Sequence, residues 1–154
     1  PGDRTRHLGR AADLLNLAPR SAASIAEAAQ ALERLVAEDP ADEVGITARY
    51  LLARIAGVHE AGASPAAAAP QLRALLDAAP HHPLAQHGGV KLCLLLLYEP
   101  TLSVEPDFAA AETVVERLTL NGPRRDGHAA LGRAYLFYRQ EPQRALAHLQ
   151  AAFA

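Results

Sequence analysis

The chain has 154 residues, half of them apolar but only 5% aromatic, with no tryptophan or methionine. Its formal charge of −2, from nearly equal numbers of acidic and basic residues, excludes a strong electrostatic attraction to nucleic acid or anionic lipid. Alanine and leucine, which favour helices, dominate the apolar residues, whereas β-branched residues are scattered. We therefore predict an all-α protein, long enough to form one domain with a buried core.

The single cysteine, Cys93, excludes an intrachain disulfide bond and does not indicate a redox compartment. The longest apolar run, from Leu92 to Leu97, is too short to cross a bilayer, so we predict no membrane insertion. The given chain shows neither a signal peptide nor a transmembrane segment, and both cytoplasmic and periplasmic locations remain open.

Proline and glycine divide the chain into eight predicted helices. The first covers about residues 3–17 and ends at Pro19. The second begins with a capping box, in which Ser24 precedes Glu27 by three residues, and ends before Pro40.

Asp42 is predicted to cap the third helix, which ends at Gly62. Ser64-Pro65 is typical of a helix start and opens the fourth. Pro70 lies too deep in the helix to belong to a first turn that begins at Ser64-Pro65, so the fourth helix kinks or restarts at this residue.

The fifth helix is predicted over about residues 84–99, with an apolar centre that makes it the most buried element. The sixth spans about residues 107–120 and closes at Asn121-Gly122-Pro123, and Asp126 caps the seventh. The eighth begins at Pro142. We expect three of its apolar residues to face inward: Leu146, Leu149 and Phe153.

The predicted helices form pairs that recur about every 40 residues, marked by Pro40, Pro80 and Pro123. A fixed period of this size indicates stacked helical hairpins. We predict an α-solenoid of about four antiparallel hairpins in one domain, although the same spacing also fits a globular bundle. The predicted hairpins span residues 3–40, 42–80, 84–123 and 126–154.

The last hairpin resembles a tetratricopeptide repeat. Leu131-Gly132 followed by Tyr135 matches the Leu-Gly-x-x-Tyr spacing of the first helix in that family. On the second helix, the small, large and small residues of the family correspond to Ala145, Leu149 and Ala152, one residue late. The chain departs from the family in having no tryptophan and a period longer than about 34 residues.

This resemblance implies an adaptor or scaffold that binds a protein or peptide in a groove lined by the first helix of each hairpin. Arg133 is expected to anchor a carboxylate of the partner through paired hydrogen bonds. Neither nucleic acid nor membrane is an expected partner, and a homo-oligomer is left open. The resemblance assigns these residues to the groove: Arg49, Leu52 and Ala53; Gln86, Val90, Cys93 and Leu94; Asp126, Ala129, Arg133, Leu136 and Phe137.

The alternative function is a metal-binding or small-ligand-binding helical protein built on His81, His82 and His87, with Cys93 nearby. The spacing does not put these side chains on one helix face, so we predict no metal and no cofactor. The other histidines are expected singly on the surface: His7, His59, His128 and His148.

Motifs for catalysis do not occur in the sequence. It contains no glycine-rich phosphate loop, no Gly-x-Ser-x-Gly elbow and no His-Glu-x-x-His pair. Cys93 lies in an apolar run, where a thiol is usually inert. We therefore predict that the protein is not an enzyme.

Overall fold

A computed structural model describes residues 2–16, 21–59 and 63–154. Within these ranges the chain forms eight α-helices and no strand, which confirms the all-α prediction. The helices are α1 (Gly2–Asn16), α2 (Ala22–Glu38), α3 (Glu43–Arg54), α4 (Ala69–Ala78), α5 (Pro83–Tyr98), α6 (Phe108–Glu116), α7 (Asn121–Ala134) and α8 (Pro142–Phe153). A π-helical turn follows α3 at Ile55–His59 and another follows α7 at Tyr135–Arg139, while a 3₁₀ turn at Pro65–Ala68 precedes α4.

Several predicted helix starts are confirmed. The Gly45 amide donates a hydrogen bond to the Asp42 carboxylate over 2.7 Å, which caps α3. The Ser64 side chain caps the 3₁₀ turn by accepting from the Ala67 amide. The α-helix then starts anew at Ala69, so Pro70 lies in a first turn, where an N–H group is not needed.

Other predicted boundaries are wrong. The capping box of α2 joins Ser21 and Ser24, not Ser24 and Glu27. The predicted stop at Asn121-Gly122-Pro123 is instead the first turn of α7, since glycine and proline are tolerated where amides have no partners within the helix. Asp126 therefore lies inside α7 and does not cap it.

Consequently, the boundary between the last two predicted hairpins falls at residues 117–120 rather than 123–126. The helix ends predicted at Pro19 and Gly62 lie outside the described residues.

The structure divides into two compact units, Pro1–Ala79 and Pro80–Ala154. In the first, α1 and α2 are antiparallel, because Arg4 near the start of α1 pairs with Glu38 at 2.6 Å and Arg10 pairs with Glu27 at 3.1 Å. One core is formed by α1, α2 and α3. Its buried residues are Ala11, Leu15, Ala28, Leu32, Leu35, Ala48, Leu51 and Ile55.

The starts of α1 and α3 are joined by an ion pair between Arg4 and Asp42, with 3.0 Å between Nη2 and Oδ1. The same nitrogen donates to the Leu35 carbonyl at the end of α2. The Gly45 amide, together with the Arg4 guanidinium, holds the pKa of the Asp42 carboxyl below its ordinary value. One guanidinium thus connects three helices of the first unit.

In the second unit, α5 and α6 form an antiparallel pair, and α7 and α8 form another. The Asp107 amide at the start of α6 donates to the Leu96 carbonyl near the end of α5. His128 of α7 lies beside His148 of α8, while Gly132, further along α7, lies beside Ala145, earlier in α8. Both pairs are therefore helical hairpins.

Small residues permit close packing at these contacts. A Cβ atom on Gly127 would lie 2.7 Å from the Leu118 side chain, and one on Gly132 would lie 2.7 Å from Leu149 Cγ. Tyr135 fills the adjoining space and is 1% exposed, with its ring 4.5 Å from that of Phe108.

The outward face of α8 corrects one prediction. Leu146 is 56% exposed and Phe153 is 82% exposed, so neither faces inward. The residues of α8 that are buried are the small Ala145 and Ala152, since α8 packs closely on the glycine of α7. In α5, Leu94 is likewise 42% exposed although its apolar neighbours Leu92 and Cys93 are buried.

Gln86 is the one buried polar side chain of the described residues and is fully enclosed. Its amide nitrogen donates to the Pro80 carbonyl and, over 2.9 Å, to the Arg117 carbonyl. Its amide oxygen accepts from the amides of Thr119, over 2.8 Å, and Leu120, over 3.2 Å. The side chain therefore joins the start of α5 to the segment between α6 and α7.

Replacing Gly132 with alanine should destabilise the protein by about 1–3 kcal/mol, because the added methyl meets Leu149 and the Ala145 backbone oxygen. Gly9 is exposed inside α1, where an added Cβ would meet no atom within 4 Å beyond its own helix backbone and chain neighbours, so Gly9→Ala is the matched control. It should be neutral or stabilise by up to about 1 kcal/mol. Urea unfolding followed by circular dichroism measures both, and equal effects would contradict the packing role of Gly132.

Gln86→Leu should lower the free energy of unfolding by roughly 2–5 kcal/mol, because it leaves buried carbonyl and amide groups unsatisfied. The exposed Gln150 of α8 provides the control, and Gln150→Leu should change stability by less than about 0.5 kcal/mol. Thermal and urea unfolding of both variants test this. A Gln86 variant as stable as the control would show that its hydrogen bonds contribute nothing.

Candidate functional site

The helices α5 and α7 lie side by side in the second unit and run in the same direction. Near their starts, Gln86 of α5 accepts from the Leu120 amide just before α7. Near their ends, the Tyr98 hydroxyl of α5 donates to the Ala130 carbonyl of α7 over 3.1 Å. Successive hairpins of this unit thus place their first helices next to each other.

The exposed residues of α5 differ from those predicted for a groove. Gln86 and Cys93 are fully buried, and Val90 is half-buried. Leu94 alone of the predicted α5 set is exposed. The residues of α5 that share an exposed face with it are His87, Lys91 and Tyr98. The accessible face is therefore rotated by about one residue from the predicted one.

The predicted residues of α7 are more accessible. Asp126 and Arg133 are exposed, and Ala129 between them is half-buried. The Arg133 Nε donates to the Ala129 carbonyl over 3.2 Å, and among residues 63–154 no carboxylate lies at ion-pair distance from its guanidinium. This cation is therefore accessible to solvent.

The π-helical turn after α7 exposes three consecutive apolar residues. Leu136 is 46% exposed, Phe137 is 74% exposed and Tyr138 is 55% exposed. The turn forms because the Tyr135 carbonyl accepts from the Gln140 amide, five residues on, and Gln140 adopts a left-handed conformation with φ of 54°. Tyr135 itself remains buried, so the turn directs its next three neighbours outward.

Tyr98 connects the exposed residues of the two helices. Its ring centroid is 5.9 Å from that of Tyr138, in a tilted arrangement. Burial raises the pKa of the Tyr98 hydroxyl, and the positive charge of Arg133 opposes this rise. We define the α5–α7 face as Leu94, Tyr98, Arg133, Leu136, Phe137 and Tyr138.

A shallow cavity of about 360 Å³ lies between α1 and α2 in the first unit, and a smaller one of about 190 Å³ adjoins Tyr98 and Tyr138. The first is lined by charged side chains, including Arg10 and Glu27, which pair with each other at 3.1 Å. The second is lined by polar as well as apolar groups, with Glu99 and Ser103 beside Val104, which is 96% exposed. The smaller cavity therefore borders the α5–α7 face at Tyr98 and Tyr138.

The predicted groove residues of α3 lie in the first unit and do not form an exposed stripe. Arg49 and Leu52 are half-buried and Ala53 is 2% exposed. The Arg49 Nε atom is buried and has no hydrogen-bond partner in the described structure.

The three histidines considered for a metal do not converge. His81 is exposed in the turn before α5, and the Nδ1 atom of His82 accepts from the Leu84 amide over 3.1 Å, capping that helix. His87 is exposed on α5. The side chains of residues 2–16, 21–58 and 63–154 contain no cluster of three or more candidate metal ligands.

Burial raises the pKa of the Cys93 thiol to about 12, so the reactive thiolate is disfavoured. This agrees with the inert role predicted for the residue.

Two histidines expected singly on the surface instead meet across the α7–α8 contact. The Nδ1 atoms of His128 and His148 are 3.0 Å apart. The two histidines are 20 residues apart, so no local sequence pattern predicts their contact. No local pattern predicts that Tyr98 and Tyr138 belong to the α5–α7 face either. His59 was also expected on the surface, but its side chain lies outside the described residues.

In the described ranges, no helix has the length and hydropathy needed to cross a membrane. Comparison of the chain with protein-family models, with curated proteins and with solved structures gives no match.

Proposed function

We propose that the α5–α7 face binds a protein or peptide, and that the chain is an adaptor or scaffold of the tetratricopeptide-like type. The observation that carries the proposal is the run Leu136, Phe137 and Tyr138, exposed on one turn, with the Tyr138 ring against that of Tyr98. Isolated exposed apolar residues are ordinary, but clustered ones mark interaction surfaces.

The composition of the face supports a macromolecular partner. Aromatic residues and arginine contribute most of the binding energy in protein interfaces. Aromatic side chains combine a large apolar area with few rotatable bonds, and arginine makes directed hydrogen bonds. Phe137, Tyr138 and Tyr98 supply aromatic rings, and Arg133 supplies an accessible guanidinium next to them. A carboxylate of the partner would pair with Arg133 while an apolar side chain packs on Phe137.

The arrangement of helices in the second unit supports the tetratricopeptide-like part of the proposal. Two antiparallel hairpins follow each other, their first helices run in the same direction, and Gly127 and Gly132 lie at close contacts. In that family the first helices line the binding groove. A continuous α-solenoid of four hairpins, and binding without catalysis, are parts of the same proposal.

Substituting glutamate for Leu136 or Arg133 should weaken the binding of a captured partner by about tenfold or more without unfolding the domain. Partners are isolated with the immobilised parent chain and identified by mass spectrometry, and their dissociation constants are then measured for each variant. Circular dichroism and thermal unfolding establish that the variants remain folded.

Leu146→Glu is the matched control, because Leu146 is a leucine of similar exposure on α8, outside the α5–α7 face. It should bind as the parent does. Folded Leu136 and Arg133 variants that keep the parent's affinity for every captured partner would refute the assignment of the face.

A further inference from the structure

The contact between α7 and α8 contains a pair of facing histidines. His128 and His148 approach with 3.0 Å between their Nδ1 atoms, and their ring centroids are 5.3 Å apart. Both side chains are half-buried, and 20% of the His148 side chain is exposed. The pair lies at the same contact as Gly132 and Leu149, where the two helices approach closely.

A separation of 3.0 Å between two ring nitrogens requires one proton between them. An imidazole nitrogen either carries a proton and donates, or has a lone pair and accepts. With one Nδ1 of each kind, His128 and His148 form a hydrogen bond. When both are protonated, two N–H donors and two positive charges face each other, and the bond becomes a repulsion.

The charged groups around the pair differ between the two rings. Glu112 of α6 lies 3.6 Å from the Nε2 atom of His148, and the ring of Tyr135 stacks on His148 at 5.6 Å. Glu112 also accepts a hydrogen bond from the Tyr135 hydroxyl, to which the Arg144 guanidinium of α8 donates over 3.4 Å. Glu112 therefore places a carboxylate beside the Nε2 atom of His148, on the side of the ring away from His128.

Among the described residues, no carboxylate lies at ion-pair distance from His128. Burial lowers its pKa below the ordinary value of 6.5, and the charges of His148 and Arg124 lower it further. The charged groups that face the pair are thus Glu112 from α6, Arg124 from α7 and Arg144 from α8.

We propose that the His128–His148 pair is a proton-sensitive latch, which holds α8 against α7 at neutral pH and releases it on acidification. Two nitrogen donors are one fewer than an open zinc site normally has, so the pair is assigned to a proton rather than a metal. This regulatory inference is independent of the proposed binding function.

The direction of the pH effect follows from the lowered pKa of His128. When α8 is released from α7, His128 binds a proton below about pH 6.5. When α8 is docked on α7, the lowered pKa of His128 opposes this protonation. The docking of α8 therefore weakens as pH falls towards the pKa of His128 in the docked state. Well above pH 6.5 both states are neutral at this residue, and the contribution is fully present. Docking should weaken by up to about tenfold for each pH unit in this window.

Hydrogen exchange of the α8 amides between pH 7.5 and 5.0, corrected for intrinsic rates, tests the latch. Protection of α8 relative to α2 should fall by about tenfold per pH unit below 6.5 in the parent. His128→Gln retains a hydrogen-bonding side chain that does not titrate, so the fall should disappear. His87→Gln, on the exposed face of α5, should behave as the parent does.

Imidazole ¹⁵N chemical shifts of the parent provide a second measurement that does not depend on a variant folding. The pair should share one proton at Nδ1 at neutral pH, and His128 should take its second proton below pH 6.5. Equal α8 protection at pH 7.5 and 5.0, the same fall in His128→Gln as in the parent, or independent titration of the two rings would each overturn the latch.

Discussion

The second unit depends on the satisfaction of one buried amide side chain. Gln86 is fully enclosed, and its amide oxygen and nitrogen bond to backbone partners more than 30 residues ahead in the chain. Since buried polar groups are costly unless paired, this side chain is compatible with only one placement of the segment between α6 and α7. That placement sets the start of α7 beside the start of α5, and the parallel course of the two helices follows.

From this constraint the exposed surface can be understood step by step. Parallel α5 and α7 bring Tyr98 next to the end of α7, where it bonds to Ala130 and contacts Tyr138. The π-helical turn keeps Tyr135 in the core while its next three neighbours turn outward. Arg133 adds a positive charge to the same area. The face therefore combines a scaffold fixed by buried hydrogen bonds with residues that contribute little to the core.

Features that depend on neighbouring residues could be predicted from the sequence. Features that depend on contacts with residues distant in the chain could not. Asp42 and Pro70 act within their own helix turns, so their roles were predictable. Asn121-Gly122-Pro123 suits a helix start as well as a stop, and only the hydrogen bonds around Leu120 distinguish the two. Helical periodicity predicted Phe153 inward, but α8 buries its small residues against Gly132 and leaves the large ones outside.

The same reasoning explains what was found and missed in the candidate site. Arg133, Leu136 and Phe137 were expected from the resemblance to a tetratricopeptide repeat, whereas Tyr98 belongs to the face through contacts with another helix. Cys93 has a further practical consequence, because its thiol is fully enclosed and strongly protonated. The native thiol is thus unreactive towards labelling reagents. A single cysteine introduced at an exposed position can therefore be labelled selectively with a maleimide fluorophore or spin label, without removal of Cys93.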